Sequence, residues 1–216
     1  MSPLPNNPKI YHITHVENVA NIIRDGALWS DAERIRRGLA CEIVGMSEIK
    51  RRRLEEIRVD CHAGTMVGGY VPWYYCPRSV MLYILHMGNS PGLTYHGGQR
   101  PIVHLRADLN AVLDWAEANH VRWAFSRGNA GAYYATFSNN RLELGNLNWT
   151  AIAQTDWRNP DIKEAKQAEL LIEKSFPWNL VEAIGVIDAG MAEQVNETIV
   201  RAEHKPIVSI ERSWYY

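Results

Sequence analysis

The stretch QAELLIEKSF, residues Gln167–Phe176, places an acid near the start of an otherwise apolar run. Side chains of a β-strand alternate between two faces, so the side chains at positions 168, 170 and 172 share an apolar face while Glu169 lies on the other. This alternation predicts a strand with one face in a core. The face of Glu169 is either solvated or forms the floor of a cleft, where partial desolvation strengthens a carboxylate as an acceptor.

The composition is that of an ordinary globular protein. The chain has 216 residues, of which 46% are hydrophobic and 22% charged, and its formal net charge is -1. A chain of this length can bury one sizeable core, so we predict a single domain over residues 1–216. The balanced charge neither requires nor excludes an anionic partner, because a local basic patch is enough to bind one.

The cysteines and histidines predict neither a disulfide framework nor a metal centre. Cys41, Cys61 and Cys76 form no C-x-x-C pair, and no two histidines have the spacing of zinc ligands. We therefore expect reduced thiols, no metal and a cytoplasmic location. The sequence contains no apolar run of about 18 residues and no signal-peptide pattern, so we expect no membrane association.

Hydrophobic periodicity predicts strands and helices without a regular βαβ rhythm. A strand over KIYHITHV precedes a helix that ends at Gly26, and Thr14 and Glu17 have capping-box spacing for that helix. Further strands are predicted at PIVHL, VRWAF, AELLIE, AIGVID and PIVSIE, and further helices at VMLYILHMG, DLNAVLDWAEAN and AGMAEQVNETIVRAEH. This arrangement favours an α+β fold with a largely antiparallel central sheet and flanking helices. The sequence lacks a nucleotide-binding glycine motif after a strand and a Walker loop.

Three further groups of side chains are candidates for ligand binding. His12 and Thr14 alternate onto one face of the first strand, where a lone histidine is more often structural than functional. The basic run Lys50–Arg53 is either a solvated charge run or a clamp for phosphate. The aromatic run Tyr70–Tyr75 is either core or a stacking surface. A basic run followed by aromatic residues is typical of a channel for single-stranded nucleic acid.

Six segments occur in a specific order between about Ile10 and about Ile199. They are YHITHVENVANIIRDGAL, IKRRR, YVPWYYCPRSVML, FSRGNA, QAELLIEKSFPW and IGVIDAGMAEQV. The ordered set resembles the DarT family, the toxins of the DarT–DarG toxin–antitoxin system. The resemblance implies a fold like that of PARP-type ADP-ribosyltransferases. It also implies that NAD is the co-substrate and that ADP-ribose is transferred to a base, most commonly thymine, in single-stranded DNA.

The resemblance also implies roles for individual residues. Glu169 of the QAE motif corresponds to the catalytic glutamate of the family. The essential arginine of the family corresponds to Arg53 or Arg51, and we favour Arg53. His12 corresponds to the histidine that binds the NAD ribose, and Met81 would line the nicotinamide pocket. The other residues expected to bind NAD are Thr14, Asn21, Gly26, Leu28 and Tyr70. The residues expected to contact the DNA substrate are Trp73, Tyr74, Arg78, Arg127 and Asn129.

The same resemblance implies the partners. We expect a monomer that binds single-stranded DNA and a cognate antitoxin, a DarG-like macrodomain protein. The loop-rich segment of residues 30–100 is expected to carry substrate-binding insertions.

One departure from the family pattern leaves two alternatives for the identity of the target base. Arg127 stands in SRGNA at a position where the family pattern has an acid. The guanine-modifying branch of the family is therefore an alternative to thymine modification. The residues are also compatible with a different NAD-consuming enzyme on the same general fold, such as an RNA 2′-phosphotransferase, and with a non-enzymatic binder of single-stranded nucleic acid.

Overall fold

The computed structural model describes residues 4–216, and ten strands and eight α-helices are found in this range. The strands are β1 (Lys9–His15), β2 (Ala27–Trp29), β3 (Tyr70–Tyr74), β4 (Ile102–Asp108), β5 (Trp123–Asn129), β6 (Phe137–Ser138), β7 (Ala168–Glu173), β8 (Ser175–Pro177), β9 (Ala183–Val186) and β10 (Ile207–Ile210). The helices are α1 (Asn18–Asp25), α2 (Asp31–Arg36), α3 (Ser47–Glu55), α4 (Val80–Met87), α5 (Leu109–Ala118), α6 (Trp149–Ala153), α7 (Pro160–Ala165) and α8 (Ala189–Ile199).

Eight of the strands form one sheet in the order β10-β9-β4-β1-β3-β7-β5-β6. All neighbouring strands in it are antiparallel except β9 and β10, which are parallel. Strands β2 and β8 form a separate antiparallel pair. The predicted α+β architecture with a largely antiparallel sheet and flanking helices is therefore confirmed.

Strand β7 lies in the interior of the sheet, between β3 and β5, and both of its faces are covered. Leu170 and Ile172 belong to the main core, as the alternation predicts. Leu171, on the other face, packs in a second apolar cluster with Val67 and Tyr70. The second face of the strand is therefore buried, and the solvated alternative for it is wrong.

The first helix differs from the prediction at its start. Thr14 lies within β1 and α1 begins at Asn18, so the predicted capping box with Glu17 does not form. The Thr14 hydroxyl instead accepts a hydrogen bond from the side-chain Nδ2 of Asn18 at 3.0 Å. The helix ends as predicted at Gly26, whose φ of 68° is left-handed.

The polar segment after Ser30 contains more regular structure than its composition indicates. Ser30 caps α2 by accepting from the backbone amide of Glu33, and α3 contains the whole basic run Lys50–Arg53. Neither helix has a fully buried residue, which explains why an apolar periodicity is missing there. The predicted insertion of residues 30–100 thus contains α2, α3, β3 and α4 as well as loops.

Over residues 4–216, none of the helices has both the length and the apolar character that crossing a membrane requires.

Candidate active site

An open cavity of about 250 Å³ is lined by β1, β3 and the segment that carries α1, α2 and α3. It brings together residues that lie far apart in the sequence. The predicted site residues that line it are His12, Thr14, Asn21, Leu28, Arg53, Tyr74 and Met81.

Glu169 and Arg53 form a buried ion pair beside this cavity. The Nη1 and Nη2 atoms of Arg53 donate to the two carboxylate oxygens of Glu169 at 3.1 and 2.8 Å. The two side chains are only 13% and 3% exposed. Arg53 lines the cavity and Glu169 lies behind it, so the guanidinium covers the carboxylate. A fork-like pair of bonds of this kind fixes the orientation of both groups.

The two arginines of the basic run have opposite surroundings. Arg53 extends from α3 toward β7, whereas Arg51 pairs with Glu48, Glu55 and Glu56 on the exposed side of the helix. Residues two positions apart on an α-helix are about 200° apart around its axis. The helical geometry therefore brings Arg53 to the carboxylate and directs Arg51 away from it.

The ion pair shifts the pKa values of Arg53 and of the neighbouring Tyr74. Burial opposes the charge of Arg53, but attraction to and hydrogen bonding with Glu169 outweigh it and raise the Arg53 pKa. Tyr74 is the cross-strand partner of Glu169 in the β3–β7 pair. Burial, with a further contribution from the negative charge of Glu169, raises the pKa of Tyr74. At neutral pH the site therefore holds a charged guanidinium and a protonated phenol.

His12 presents an acceptor atom on the cavity wall. Its Nδ1 lies 2.8 Å from the carbonyl oxygen of Pro72. Since a carbonyl can only accept, Nδ1 carries the hydrogen and Nε2 is left as an acceptor. Burial lowers the pKa of His12, which keeps the ring in this neutral form at neutral pH. An acceptor of this kind suits a hydroxyl group of a ligand.

Three of the predicted binding residues outside the cavity have a structural role instead. Trp73 is fully buried, with its ring centroid 4.1 Å from that of Phe176. Tyr70 is buried in the second cluster, and its hydroxyl is hydrogen-bonded to that of Thr65. Because their rings are covered by the core, neither can stack on a base or on nicotinamide, and these two predictions are wrong. Gly26 is not part of the cavity wall, and its left-handed φ explains its presence as the end of α1.

The predicted DNA-binding residues outside the cavity differ in their surroundings. The Arg78 guanidinium lies over the ring of Tyr216, 4.3 Å from its centroid, and Arg127 is exposed and 3.5 Å from Glu143. Asn129 is closer to the ion pair. Its Oδ1 accepts a hydrogen bond from the Gly131 amide at 2.8 Å. Gly131 in turn lies beside Arg53, since a methyl group added at Gly131 would be 3.6 Å from Cγ of Arg53.

Asn18 lines the cavity but was not predicted from the sequence. It donates to Thr14 and to the Glu42 carbonyl oxygen, at 3.0 and 2.9 Å, and accepts from the Glu42 amide at 2.8 Å. It therefore ties the segment after α2 to β1. An asparagine in the first turn of a helix carries no distinctive signal, because such residues are common there.

An ion pair between α2 and α3 was also missed. Lys50 donates to both carboxylate oxygens of Asp31 at 2.8 Å, and both residues line the cavity. Burial opposes the ionisation of Asp31, but Lys50 holds its pKa below the usual value. Opposite charges 19 residues apart give no sequence signal, since many charged pairs in the chain have comparable spacing.

Within residues 4–216, the side chains of His, Cys, Asp and Glu form no group of three or more that could hold a metal ion.

Comparison with known proteins identifies relatives over almost the whole chain. A DNA ADP-ribosyl transferase of Thermus aquaticus is 37% identical over 209 residues, which are 96% of this chain and 88% of that protein. A DNA ADP-ribosyl transferase–DNA ADP-ribosyl glycohydrolase fusion protein of Thermosipho africanus is 26% identical over 200 residues, 90% of this chain and 46% of the fusion.

Solved structures show the same fold. The structure of Thermus sp. 2.9 DarT in complex with ADP-ribosylated ssDNA superimposes with a TM-score of 0.88 at 32% identity, covering 100% of this chain and 99% of that one. The structure of the same protein in complex with NAD+ gives a TM-score of 0.78 at 32% identity, covering 98% and 99% of the two chains. The family model described as "ssDNA thymidine ADP-ribosyltransferase, DarT" matches residues 11–216. The chain therefore belongs to the DarT family of DNA ADP-ribosyltransferases.

Proposed function

We propose that this chain transfers ADP-ribose from NAD to thymine in single-stranded DNA, with Glu169 as its catalytic carboxylate. Family membership gives the enzyme class and NAD as co-substrate. The observation that carries the residue assignment is the buried Glu169–Arg53 pair beside a cavity walled by His12. Buried ionisable groups next to a cavity are characteristic of catalytic sites.

The reaction exchanges one bond at C1′ of the NAD ribose for another. The bond between C1′ and the nicotinamide nitrogen breaks, and its electron pair neutralises the pyridinium. A ring nitrogen of the base then forms a bond to C1′ and loses its proton. The ribose passes through a state with oxocarbenium character, which a nearby carboxylate stabilises most strongly in a dry site. Glu169, shielded from water, supplies this negative charge and also serves as the acceptor for the proton.

Arg53 takes part through its movement as well as its charge. The guanidinium covers the carboxylate, so it has to move aside before a ribose hydroxyl reaches Glu169. Arg53 remains charged when displaced, because a guanidinium is not deprotonated in proteins. Once displaced, it can hold a phosphate or polarise a carbonyl of the base.

The cavity wall suits the NAD ribose and nicotinamide. The Nε2 atom of His12 is an acceptor for a ribose hydroxyl, and Met81 and Tyr74 supply apolar surface on the same wall. The protonated phenol of Tyr74, next to the ion pair, can also donate a hydrogen bond to a substrate oxygen.

Asn129 is suited to orient the target base. Because the Gly131 amide donates to Oδ1, the Nδ2 group of Asn129 is the part free to donate. The reactive N3 of thymine lies between two carbonyl oxygens, either of which can accept that bond. This nitrogen is engaged in base pairing within a duplex, so a single strand avoids the energy of unpairing and unstacking. The family description favours thymine over guanine as the target.

Family membership supports the proposed partners. The fusion of a relative to a DNA ADP-ribosyl glycohydrolase supports an antitoxin of the DarG type as partner, one that removes the modification. The chain acts as a monomeric toxin in the cytoplasm, where NAD and single-stranded DNA at replication sites are both present.

Glu169→Gln tests the proposal directly. The amide keeps the size of the carboxylate but removes its negative charge, so ADP-ribose transfer should fall by at least about 100-fold, as when a group that stabilises transition-state charge is removed. Intact-mass analysis of thymine-containing and thymine-free oligonucleotides, incubated with NAD, measures the transfer. Transfer by Glu169→Gln at the wild-type rate would exclude Glu169 as the catalytic group. If the wild-type enzyme modified the thymine-free oligonucleotide and not the thymine-containing one, thymine would be excluded as the target.

A further inference from the structure

An irregularity in β5 lies directly opposite Glu169. The β5–β7 ladder pairs Phe125 with Leu170 and then resumes with Asn129 opposite Ala168. Three residues of β5 therefore face the single residue Glu169 of β7. Bulges of this kind interrupt the hydrogen-bond ladder and are common next to active sites.

The hydroxyl of Ser126 replaces the missing ladder partner. The Glu169 amide donates to Ser126 Oγ at 3.2 Å, and Ser126 Oγ in turn donates to the Gly128 carbonyl oxygen at 2.7 Å. Ser126 is 1% exposed, so this hydrogen bond is shielded from bulk water. Without it, the amide of Glu169 would be buried and lack an acceptor.

The bulge is also held from the side of α7. The Glu164 carboxylate accepts a hydrogen bond from the backbone N–H of Asn129 at 3.2 Å. A methyl group at Gly128 would overlap the Glu164 carboxylate, so a larger residue there would displace this carboxylate from the bulge. The bulge is thus fixed at both ends, by Ser126 at Glu169 and by Glu164 at Asn129.

We propose that Ser126 is a positioning residue for the transfer reaction. Its hydroxyl fixes the backbone of Glu169 across the bulge, and this keeps the carboxylate aimed at the position of Arg53 and the ribose. The inference rests on the proposed catalytic role of Glu169. Ser126 does not line the cavity, so it acts on the chemical step and not on NAD binding.

The test compares Ser126→Ala with a matched control, Ser138→Ala. Ser138 also accepts a backbone amide hydrogen bond, from Asn140, but it lies on β6 away from Glu169. Ser126→Ala should lower kcat by about 10- to 100-fold, the effect of a small misplacement of a catalytic group, with KM for NAD unchanged. Ser126→Thr, which keeps the hydroxyl, should restore kcat, and Ser138→Ala should retain it.

Amide hydrogen exchange gives a readout independent of activity. The Glu169 amide should exchange faster in Ser126→Ala than in the wild type or in Ser126→Thr. If Ser126→Ala does not fold, Ser126→Cys replaces it in both measurements, because the thiol is a weaker hydrogen-bond acceptor of similar size. An unchanged kcat in Ser126→Ala, with an active wild type, overturns the positioning role alone. A wild type that transfers no ADP-ribose overturns the proposed function and this inference with it.

Discussion

At the scale of single residues, the site depends on which of two arginines faces the sheet. Arg51 and Arg53 are chemically identical and two positions apart, yet one is exposed among glutamates and the other is buried against Glu169. A surface ion pair contributes little to stability, whereas a buried one with its partner removed leaves an uncompensated charge. The consequences of substituting the two residues should therefore differ.

Arg53→Lys should abolish transfer and Arg51→Ala should not. Lysine preserves the charge that Glu169 requires, but a single ammonium cannot form the fork of two hydrogen bonds. Arg53→Ala would instead leave the buried carboxylate unpaired, at a cost of about 3–5 kcal/mol in folding free energy. Intact-mass assays and melting temperatures of the variants separate the two effects. Loss of transfer in Arg51→Ala with full transfer in Arg53→Lys would show that the arginines had been assigned the wrong way round.

At the scale of elements, the turn after α1 sets the course of the chain past the cavity. Gly26 ends the helix in a left-handed conformation, and its amide bonds back to the carbonyl oxygens of Ile22 and Ile23. The chain then enters β2, where Leu28 lines the cavity. This glycine therefore contributes to the site through the path of the backbone and not through contact with a ligand.

Gly26→Ala should destabilise the protein by about 1–2 kcal/mol, the cost of placing a residue with a Cβ in the left-handed region. No atom lies within 4 Å of the added methyl group, so conformational strain and not a clash is the cause. Gly145→Ala is the matched control, because its methyl group is equally unobstructed and its φ is not positive. Urea denaturation of both variants measures the difference. Equal stability of the two would show that the left-handed turn carries no strain penalty.

At the scale of the whole molecule, the segment around Tyr215 packs against the sheet at β4 and β9. The Tyr215 hydroxyl donates to the carbonyl oxygens of Ile102 and Gly185 at 2.7 and 3.2 Å. His104 lies beneath the Tyr215 ring and bonds through Nε2 to the Pro77 carbonyl oxygen at 3.0 Å. A fully buried histidine thus joins β4, the loop after β3 and the final segment.

This histidine should make folding stability depend on pH. Burial lowers the pKa of His104 to about 4, below the value near 6.5 expected in the unfolded chain. Between those values the unfolded state binds a proton that the folded state does not, so stability falls as pH falls from about 6.5 to about 4. The shift corresponds to about 3 kcal/mol.

His104→Gln should remove this contribution, because the side-chain amide can still donate to Pro77 but does not titrate. Unfolding free energies at pH 7 and pH 4.5 measure it, with His96→Gln, at an exposed histidine, as the control. The loss of stability on acidification should be smaller in His104→Gln than in the control. An equal loss in both variants would exclude His104 as its source.

The local patterns of the sequence predicted most of the elements correctly. The alternation around Glu169 predicted β7, and the period of apolar residues predicted α5, in which Leu109, Val112, Leu113 and Ala116 are buried. These patterns are reliable because the direction of a side chain repeats every 2 residues in a strand and every 3.6 in a helix. The helices α2 and α3 were missed because they bury no complete side chain and are held by polar contacts.

The surroundings of individual side chains depend on elements that are distant in the sequence. Glu169 and Arg53 are 116 residues apart, and only the packing of α3 against the sheet brings them together. Packing on the two faces of the sheet likewise covers Trp73, in the main core, and Tyr70, in the second cluster, which the sequence allowed as either core or stacking surface. Alternation along a strand places a side chain on one face, but whether that face meets water, a core or a cavity depends on what packs against it. For this protein the strand and its acid could be read from the residues alone, whereas the burial of that acid and its guanidinium partner came from the fold.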